Sequence, residues 1–490
     1  MTVIFYSYAS SVNSFNCDFF SALLVKFLRA DTLRPVLSIG QRMQTLAEVQ
    51  KRLHTGESSR SLVEGCLARI VDPAGEGSRA FIQVLADTAL AAGDQHDRQR
   101  CAGAPSGPFA GIPLSVKDLF DVAGEVTTAG SVVLKDSPPA VADAPSVARL
   151  RAAGFVPVGR TNMTEFAYSG LGVNPHYGTP RNIYDRKNGR IPGGSSSGAA
   201  VSITDEMAYA ALGTDTGGSC RIPAALCGTV GFKPTARRIP LEGAFPLSHS
   251  LDSVGSLAAS VSCCAAIDAV LAGEPVTPLP ALAVSNLRFA VPQTYVLDGM
   301  DDIVARPFEA ALAKLRDAGA TIVDIPLREL GELPGINAKG GFPASEAYAL
   351  HKDLMAQKDG GYDPRVLVRI MRGAEQTEAD YRVLRAARAD LIERVRKLTA
   401  EYDAVLMPTV PVVAPLLSEV ESDEAYGRLN LLMLRNPTVA NFLDRCAVSV
   451  PCHRAGDAPV GLGLMGGHGT DRWLLAIAAA VECVVSPTSP

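Results

Sequence analysis

The sequence predicts an α/β protein, a single large domain in which a sheet is covered by helices on both faces. Three observations carry that prediction. Short apolar runs of strand length alternate with segments of helical period, the order expected of a covered sheet. No internal repeat and no clear linker breaks the alternation after residue 45. Two serine–glycine clusters, Gly193–Gly198 and Gly217–Ser219, each stand where a loop leads into a helix.

The elements follow in order. Thr45 and Glu48 have capping-box spacing, and Leu46, Val49 and Leu53 keep helical period. Ser61 with Glu64 marks a second helix. Phe81 to Leu85 reads as a strand and Asp87 onward as a helix. The apolar run Ile112 to Val116 reads as a buried strand with Lys117 at its carboxyl end. Asp143 is placed to cap a helix that has Pro145 early and Gly154 at its end. Phe155 to Val158 is a strand. Ser195 to Ser197 enter a helix, Met207 to Leu212 is a strand, and Pro223 suits an early helical position. Ser256 to Leu271 reads as helix, Leu287 to Val291 as strand, Asp302 to Ala318 as helix and Thr321 to Ile325 as strand. Residues 330–375 give a mixed signal. Glu378 to Ala400 is a long helix, Asp403 to Met407, Ala447 to Val450 and Val460 to Met465 are strands, and Asp471 to Cys483 closes the chain as a helix. Residues 1–42 differ in composition and read as an N-terminal extension, with Met43 as a second candidate start. Residues 43–490 read as the domain.

Composition bounds the function. The 490 residues are 47% hydrophobic and 20% charged with a net charge of −5, ordinary values for a soluble globular protein. No long basic run suggests nucleic acid, and no apolar stretch has the length of a membrane span. Ten cysteines are scattered without a C-x-x-C pair, as small buried thiols in a reducing, cytoplasmic compartment. His176, His249, His453 and His468 lack metal-ligand spacing, so no metal site is expected.

Three motifs mislead. Gly461 to Gly466 matches G-x-G-x-x-G but lies inside a strand with too little chain after it for a dinucleotide site. Gly194 to Gly198 matches G-x-S-x-G, yet Arg186 to Gly193 is not the strand a nucleophile elbow requires. Neither glycine cluster fits a P-loop. What remains is Lys117 with Ser195 and Ser219. Burial disfavours an ammonium, so a lysine at the end of an apolar strand is a candidate base. A serine among glycines is a candidate nucleophile facing backbone N–H groups. A serine at a helix N-terminus also sits where the dipole favours negative charge.

On these residues the chain resembles the amidase signature family. Gly193-Gly-Ser-Ser-Ser-Gly198 is similar to that family's first serine–glycine box, Asp215-Thr-Gly-Gly-Ser219-Cys-Arg221-Ile-Pro223 to its second, and Ser115-Val-Lys117-Asp118 to its lysine segment. The spacing from Ser195 to Ser219 is the family's, and the likeness runs from about residue 45 to 483, weakest between 330 and 440. The resemblance implies one α/β/α domain around a mixed, twisted sheet. It implies Ser219 as nucleophile, Ser195 as a bridging serine after a cis peptide, and Lys117 as base. The amides of Thr216, Gly217, Gly218 and Ser219 would hold an oxyanion, with Ser196, Asp215 and Arg221 as supports. The activity implied is hydrolysis of a carboxamide C–N bond through an acyl-enzyme on a small-molecule amide. Neither metal nor organic cofactor is implied, no nucleic-acid or membrane partner is expected, and a homodimer is the analogous assembly.

Other readings stand beside it. The glutaminase (A-type) subunit of a tRNA-dependent amidotransferase shares the boxes but usually has Gln where this chain has Ile222, and Ser197 stands where a glycine is common. An elbow-type serine esterase would use Ser196 with His249, His453 or His468. A non-catalytic binding protein would keep the fold alone. The substrate pocket is expected to be lined by the variable region and by the loops from Phe166 to Tyr177.

Overall fold

Thr45 opens the regular chain as its spacing predicts. Its hydroxyl accepts from the Glu48 N–H, its own N–H donates to the Glu48 carboxylate, and helix Leu46–His54 follows. The structure is a computed structural model that describes residues 43–358 and 360–486. The N-terminal extension expected over residues 1–42 lies outside the described residues.

Eleven strands form one sheet: β1 (Phe81–Val84), β2 (Pro113–Lys117), β3 (Val156–Thr161), β4 (Ala210–Thr214), β5 (Val230–Lys233), β6 (Val254–Ala258), β7 (Arg288–Pro292), β8 (Thr321–Ile325), β9 (Ala404–Pro408), β10 (Ala447–Pro451) and β11 (Gly461–Met465). Their order is β1-β3-β2-β4-β6-β5-β10-β11-β9-β7-β8. The sheet is mixed. β2 runs parallel to both β3 and β4, and β7 parallel to β8 and β9, while the centre from β4 through β11 to β9 pairs antiparallel.

Alternation along the strands divides the interior in two. Ala210 and Leu212 of β4 belong to a core with helices Val261–Ala272 and Asp471–Val485, whereas Ala211 belongs to one with helices Ser59–Val71 and Ser197–Thr204. The sheet is thus covered on both faces, as the alternating pattern predicts. All five residues of β2 are buried. Burying Leu114 and Val116 stabilises the fold by about 2 kcal/mol each, which offsets the cost of carrying Lys117 into the interior.

Several boundaries differ from expectation, each for a local reason. The second helix is capped by Ser58, whose hydroxyl accepts from Ser61 N–H, so Ser61 lies inside it. Asp143 does not cap helix Pro145–Ala152. Its carboxylate accepts from the Ala123 N–H instead, and Ala144 precedes the helix without a side-chain bond. The segment Ser256 to Ala258, expected to be helical, is strand β6, paired on both sides by β4 and β5. Helix Val261–Ala272 starts only after Ser260, whose hydroxyl accepts from the Cys263 N–H. The mixed region folds into helices Gly341–Gln357 and Pro364–Met371. Strand β5 and helix Asp423–Phe442 had no counterpart in the sequence reading. The first is four residues long, and the second carries Pro437 in its interior.

Candidate active site

Parallel pairing of β2 with β4 sets Val116 beside Leu212. The two strands therefore end together, at the carboxyl edge where open α/β sheets bind ligands. Lys117 is the last residue of β2 and Thr214 the last of β4. The Lys117 ammonium group is fully buried and lies 2.8 Å from Ser195 Oγ and 2.9 Å from Thr214 Oγ1. Burial pulls its pKa down to about 8 against the nearby acidic groups, Asp215 and Asp252 among them, that favour the charged form.

The first serine cluster is held by backbone contacts. The Gly194–Ser195 peptide bond is cis. The Thr164 N–H donates to Ser195 O at 3.1 Å. A Cβ on Gly194 would lie 2.5 Å from Gly172 N, so only glycine fits there. Ser196 precedes helix Ser197–Thr204, and its N–H donates to Ser219 O at 3.2 Å, which ties the two clusters together. The Ser196 hydroxyl points at Thr214 O.

The second cluster is built around the Asp215 carboxylate. It accepts from Gly218 N–H at 2.8 Å, Cys220 N–H at 3.1 Å, Arg221 Nε at 3.0 Å and Nη2 at 2.9 Å, and Asn441 Nδ2 at 2.9 Å. Burial works to raise this carboxyl, but the Arg221 guanidinium beside it prevails and holds it well below the usual carboxylate range. Gly218 has φ of +121°, and a Cβ there would meet Pro437 Cβ at 2.5 Å. The turn thus requires glycine. One expectation is corrected: the Gly218 amide is committed to Asp215 and is not aimed at an oxyanion. Asn441 and Thr214 are not among the residues that the motifs point to: Asn441 lies on a helix interrupted by Pro437, and Thr214 is the last residue of β4, one position before the second box.

A second buried lysine makes an instructive contrast. Lys233 is also fully buried, and burial lowers its pKa to about 8 as well. Its ammonium donates to the carbonyls of Pro234 at 2.6 Å and Arg445 at 3.0 Å. A carbonyl has no proton to give, whereas the hydroxyl of Ser195 has one. Of the two lysines, Lys117 is the one bonded to a group that it can deprotonate.

Above Thr214 and Thr216 lies a cavity of ≈ 320 Å³. Of the loop residues 166–177 only Ala167 contributes to it, and most of its wall comes from residues 241–252, for which the sequence offers no motif. That loop is fastened to the lysine segment, with Gly243 O accepting from Asp121 N–H at 2.7 Å and Phe245 N–H donating to Leu119 O at 2.8 Å. At its far end Asp252 accepts from the Thr216 hydroxyl and from the N–H groups of Leu247 and Ser248. Burial pushes the Asp252 carboxyl up to about 6 despite these donors. The variable region lines an adjoining cavity of ≈ 550 Å³ through Ser345 and Glu346. Phe166 packs behind the wall against Phe245, with ring centroids 5.3 Å apart.

The late histidines are engaged away from Ser196. His249 faces Glu346, the His453 ring accepts from Val460 N–H, and His468 meets Asp444. Among the described residues no group of three or more His, Cys, Asp or Glu is placed to hold a metal ion, and no helix is long and apolar enough to cross a membrane.

Residues 61–475 match the family described as Amidase. The chain is 38% identical to 2-amino-5-chloromuconic acid deaminase of Comamonas testosteroni, over 78% of this chain and 83% of that one. It is 34% identical to the A-type subunit of the Glutamyl-tRNA(Gln) amidotransferase of Symbiobacterium thermophilum, over 90% of this chain and 97% of that one. A solved crystal structure of an amidase superposes with a TM-score of 0.82 at 33% identity, covering 90% of this chain and 100% of its own.

Proposed function

The chain belongs to the amidase family, and from that premise we propose that it hydrolyses the C–N bond of a small carboxamide through an acyl-enzyme on Ser219. The bond between Lys117 Nζ and Ser195 Oγ, 2.8 Å long and buried, carries the reading. Neutral Lys117 takes the proton of Ser195 Oγ as Ser195 takes that of Ser219 Oγ. Ser219 Oγ attacks the amide carbon. The oxyanion is held by amides of the Thr216–Ser219 turn other than Gly218. The relay then delivers its proton to the departing nitrogen, and ammonia or an amine leaves. Water attacks the Ser219 ester, its proton enters the same relay, and the carboxylate leaves as Ser219 regains its hydrogen. Asp215, Arg221 and Asn441 keep the turn in shape, and Ser196 joins the clusters.

A fluorophosphonate probe with peptide mapping tests this. Label on Ser219 that is lost in Lys117→Ala is expected. Label on Ser196, lost on mutating a late histidine, would transfer the chemistry to an elbow-type esterase, and undiminished labelling of Lys117→Ala would remove Lys117 as base.

The similarity to an amidotransferase's A-type subunit over 90% of the chain favours a second reading, in which glutamine is the amide and partner subunits receive the ammonia. Glutaminase activity that appears only with such subunits would establish it, and a self-sufficient amidase would set it aside. The nine described cysteines are all unpaired, which supports a reducing, cytoplasmic location. A homodimer is the assembly we assign, to be checked by light scattering.

A further inference from the structure

The two adjoining cavities share a charge pattern that the proposed chemistry does not by itself require. The inner one is walled by the apolar side chains of Leu119, Leu241, Phe245 and Leu247 above the Thr216 floor. Its lip is formed by exposed Glu242 and His249. The outer one continues past His249 and adds Glu346 and Glu378. Among the described residues that line either cavity, no lysine or arginine occurs, and the acidic side chains are Glu242, Asp252, Glu346 and Glu378. Asp252 is occupied by Thr216 and two backbone amides. Glu346 accepts from Ser248, Ser250 and Tyr381, and Glu378 has Arg382 3.7 Å away.

A carboxylate entering this space would leave its water, meet no cation on the walls and face like charge from the lip outward. An aliphatic or aromatic chain would only exchange water for apolar wall. A terminal ammonium would find the carboxylates of Glu346 and Glu378 on the wall of the outer cavity. We propose that the substrate is a neutral or cationic amide whose chain beside the reacting carbonyl is apolar, and that the site discriminates against amides bearing a carboxylate. This rests on the amide-hydrolase reading above and narrows it. It separates the chain from the relative named for 2-amino-5-chloromuconic acid, despite 38% identity.

Three amides of matched length decide the point with the full chain: hexanamide, 6-aminohexanamide and adipamic acid. Two readouts are taken, kcat/KM for ammonia release and protection of Ser219 from the fluorophosphonate probe. Hexanamide and 6-aminohexanamide are expected to exceed adipamate at least tenfold in both, and Glu242→Lys is expected to raise adipamate turnover severalfold. Adipamate used or protecting as well as hexanamide, with Ser219 still labelled, overturns the substrate class and leaves the hydrolase reading intact. Failure of the probe to label Ser219 at all overturns the hydrolase reading, and this inference with it.

Discussion

Lys117→Met separates the two things that a buried base does to its protein. In the folded chain burial lowers the Lys117 pKa from 10.5 to about 8. The folded state therefore binds this proton less well than the unfolded chain does. The resulting penalty is fully present below pH 8, falls as pH rises from 8 toward 10.5, and is gone above that range. Its size is about 3 kcal/mol. Methionine has similar volume and no charge, so the variant escapes the penalty at pH 7. It also loses the bonds to Ser195 and Thr214, a roughly pH-independent cost of about 1 kcal/mol each. Urea unfolding of both proteins at pH 7 and pH 10 cancels that constant cost. The stability difference in favour of the variant should shrink by about 2–3 kcal/mol between the two pH values. Over the same interval the wild-type rate of Ser219 acylation should rise as pH approaches 8 and level off above it, while the variant is slower by about a thousandfold throughout. A pH-independent stability difference, or an acylation rate within tenfold of wild type, would refute the buried-base account. Lys233→Met is the control: it shares the stability signature through its own lowered pKa, yet it should keep the wild-type pH–rate profile.

Other perturbations follow from the same contacts. Asp215→Asn leaves the Arg221 guanidinium buried without its carboxylate and should cost about 3–5 kcal/mol in denaturant unfolding, and the double variant with Arg221→Ala should cost less than the two single losses added. Gly218→Ala sets a Cβ 2.5 Å from Pro437 Cβ at a positive φ, so thermal unfolding should shift by about 2 kcal/mol or more and Ser219 labelling should fail first. Asp252→Asn tests a carboxyl raised to about 6. Because the folded state binds that proton more tightly, ionised Asp252 carries a penalty above pH 6 that is relieved as pH falls toward 4. Wild type should thus gain about 3 kcal/mol on the variant across that window. The kcat of the variant should drop about tenfold at pH 8, because the amide has one acceptor oxygen where the carboxylate serves the Thr216 hydroxyl and the Leu247 and Ser248 N–H groups with two.

The sequence carried the strand-and-helix alternation and the three boxes because these are contiguous patterns. Lys117, Ser195, Ser219, Asp215 and Arg221 each sit within a few residues of the glycine, proline or apolar neighbours that make them readable. What it did not carry is every contribution made by one residue from far along the chain. Asn441 reaches Asp215 from a helix whose Pro437 hides its period. Asp252 reaches Thr216 from a loop that lacks a periodic signal. Ser256 to Ala258, the end of strand β6, reads as the start of a helix because it runs into an Ala-rich helix, and a short buried apolar run has no period of its own to distinguish the two.

The two buried lysines show what the spatial arrangement adds to those patterns. Both end apolar strands, β2 and β5, both are fully buried, and both are pulled to about 8. Burial and pKa therefore do not distinguish a base from a structural cation. The partners do. Lys233 donates to two carbonyls, which stabilise its charged form and offer it no proton. Lys117 faces two hydroxyls, and one belongs to a serine whose neighbour Ser196 is bonded through its backbone to Ser219. The relay proposed for Ser219 therefore runs toward Lys117, the lysine that has a hydroxyl partner, and not toward Lys233. The parallel register of β2 against β4 is what permits such a relay, because it brings the lysine segment and the start of the second serine box to the same edge of the sheet.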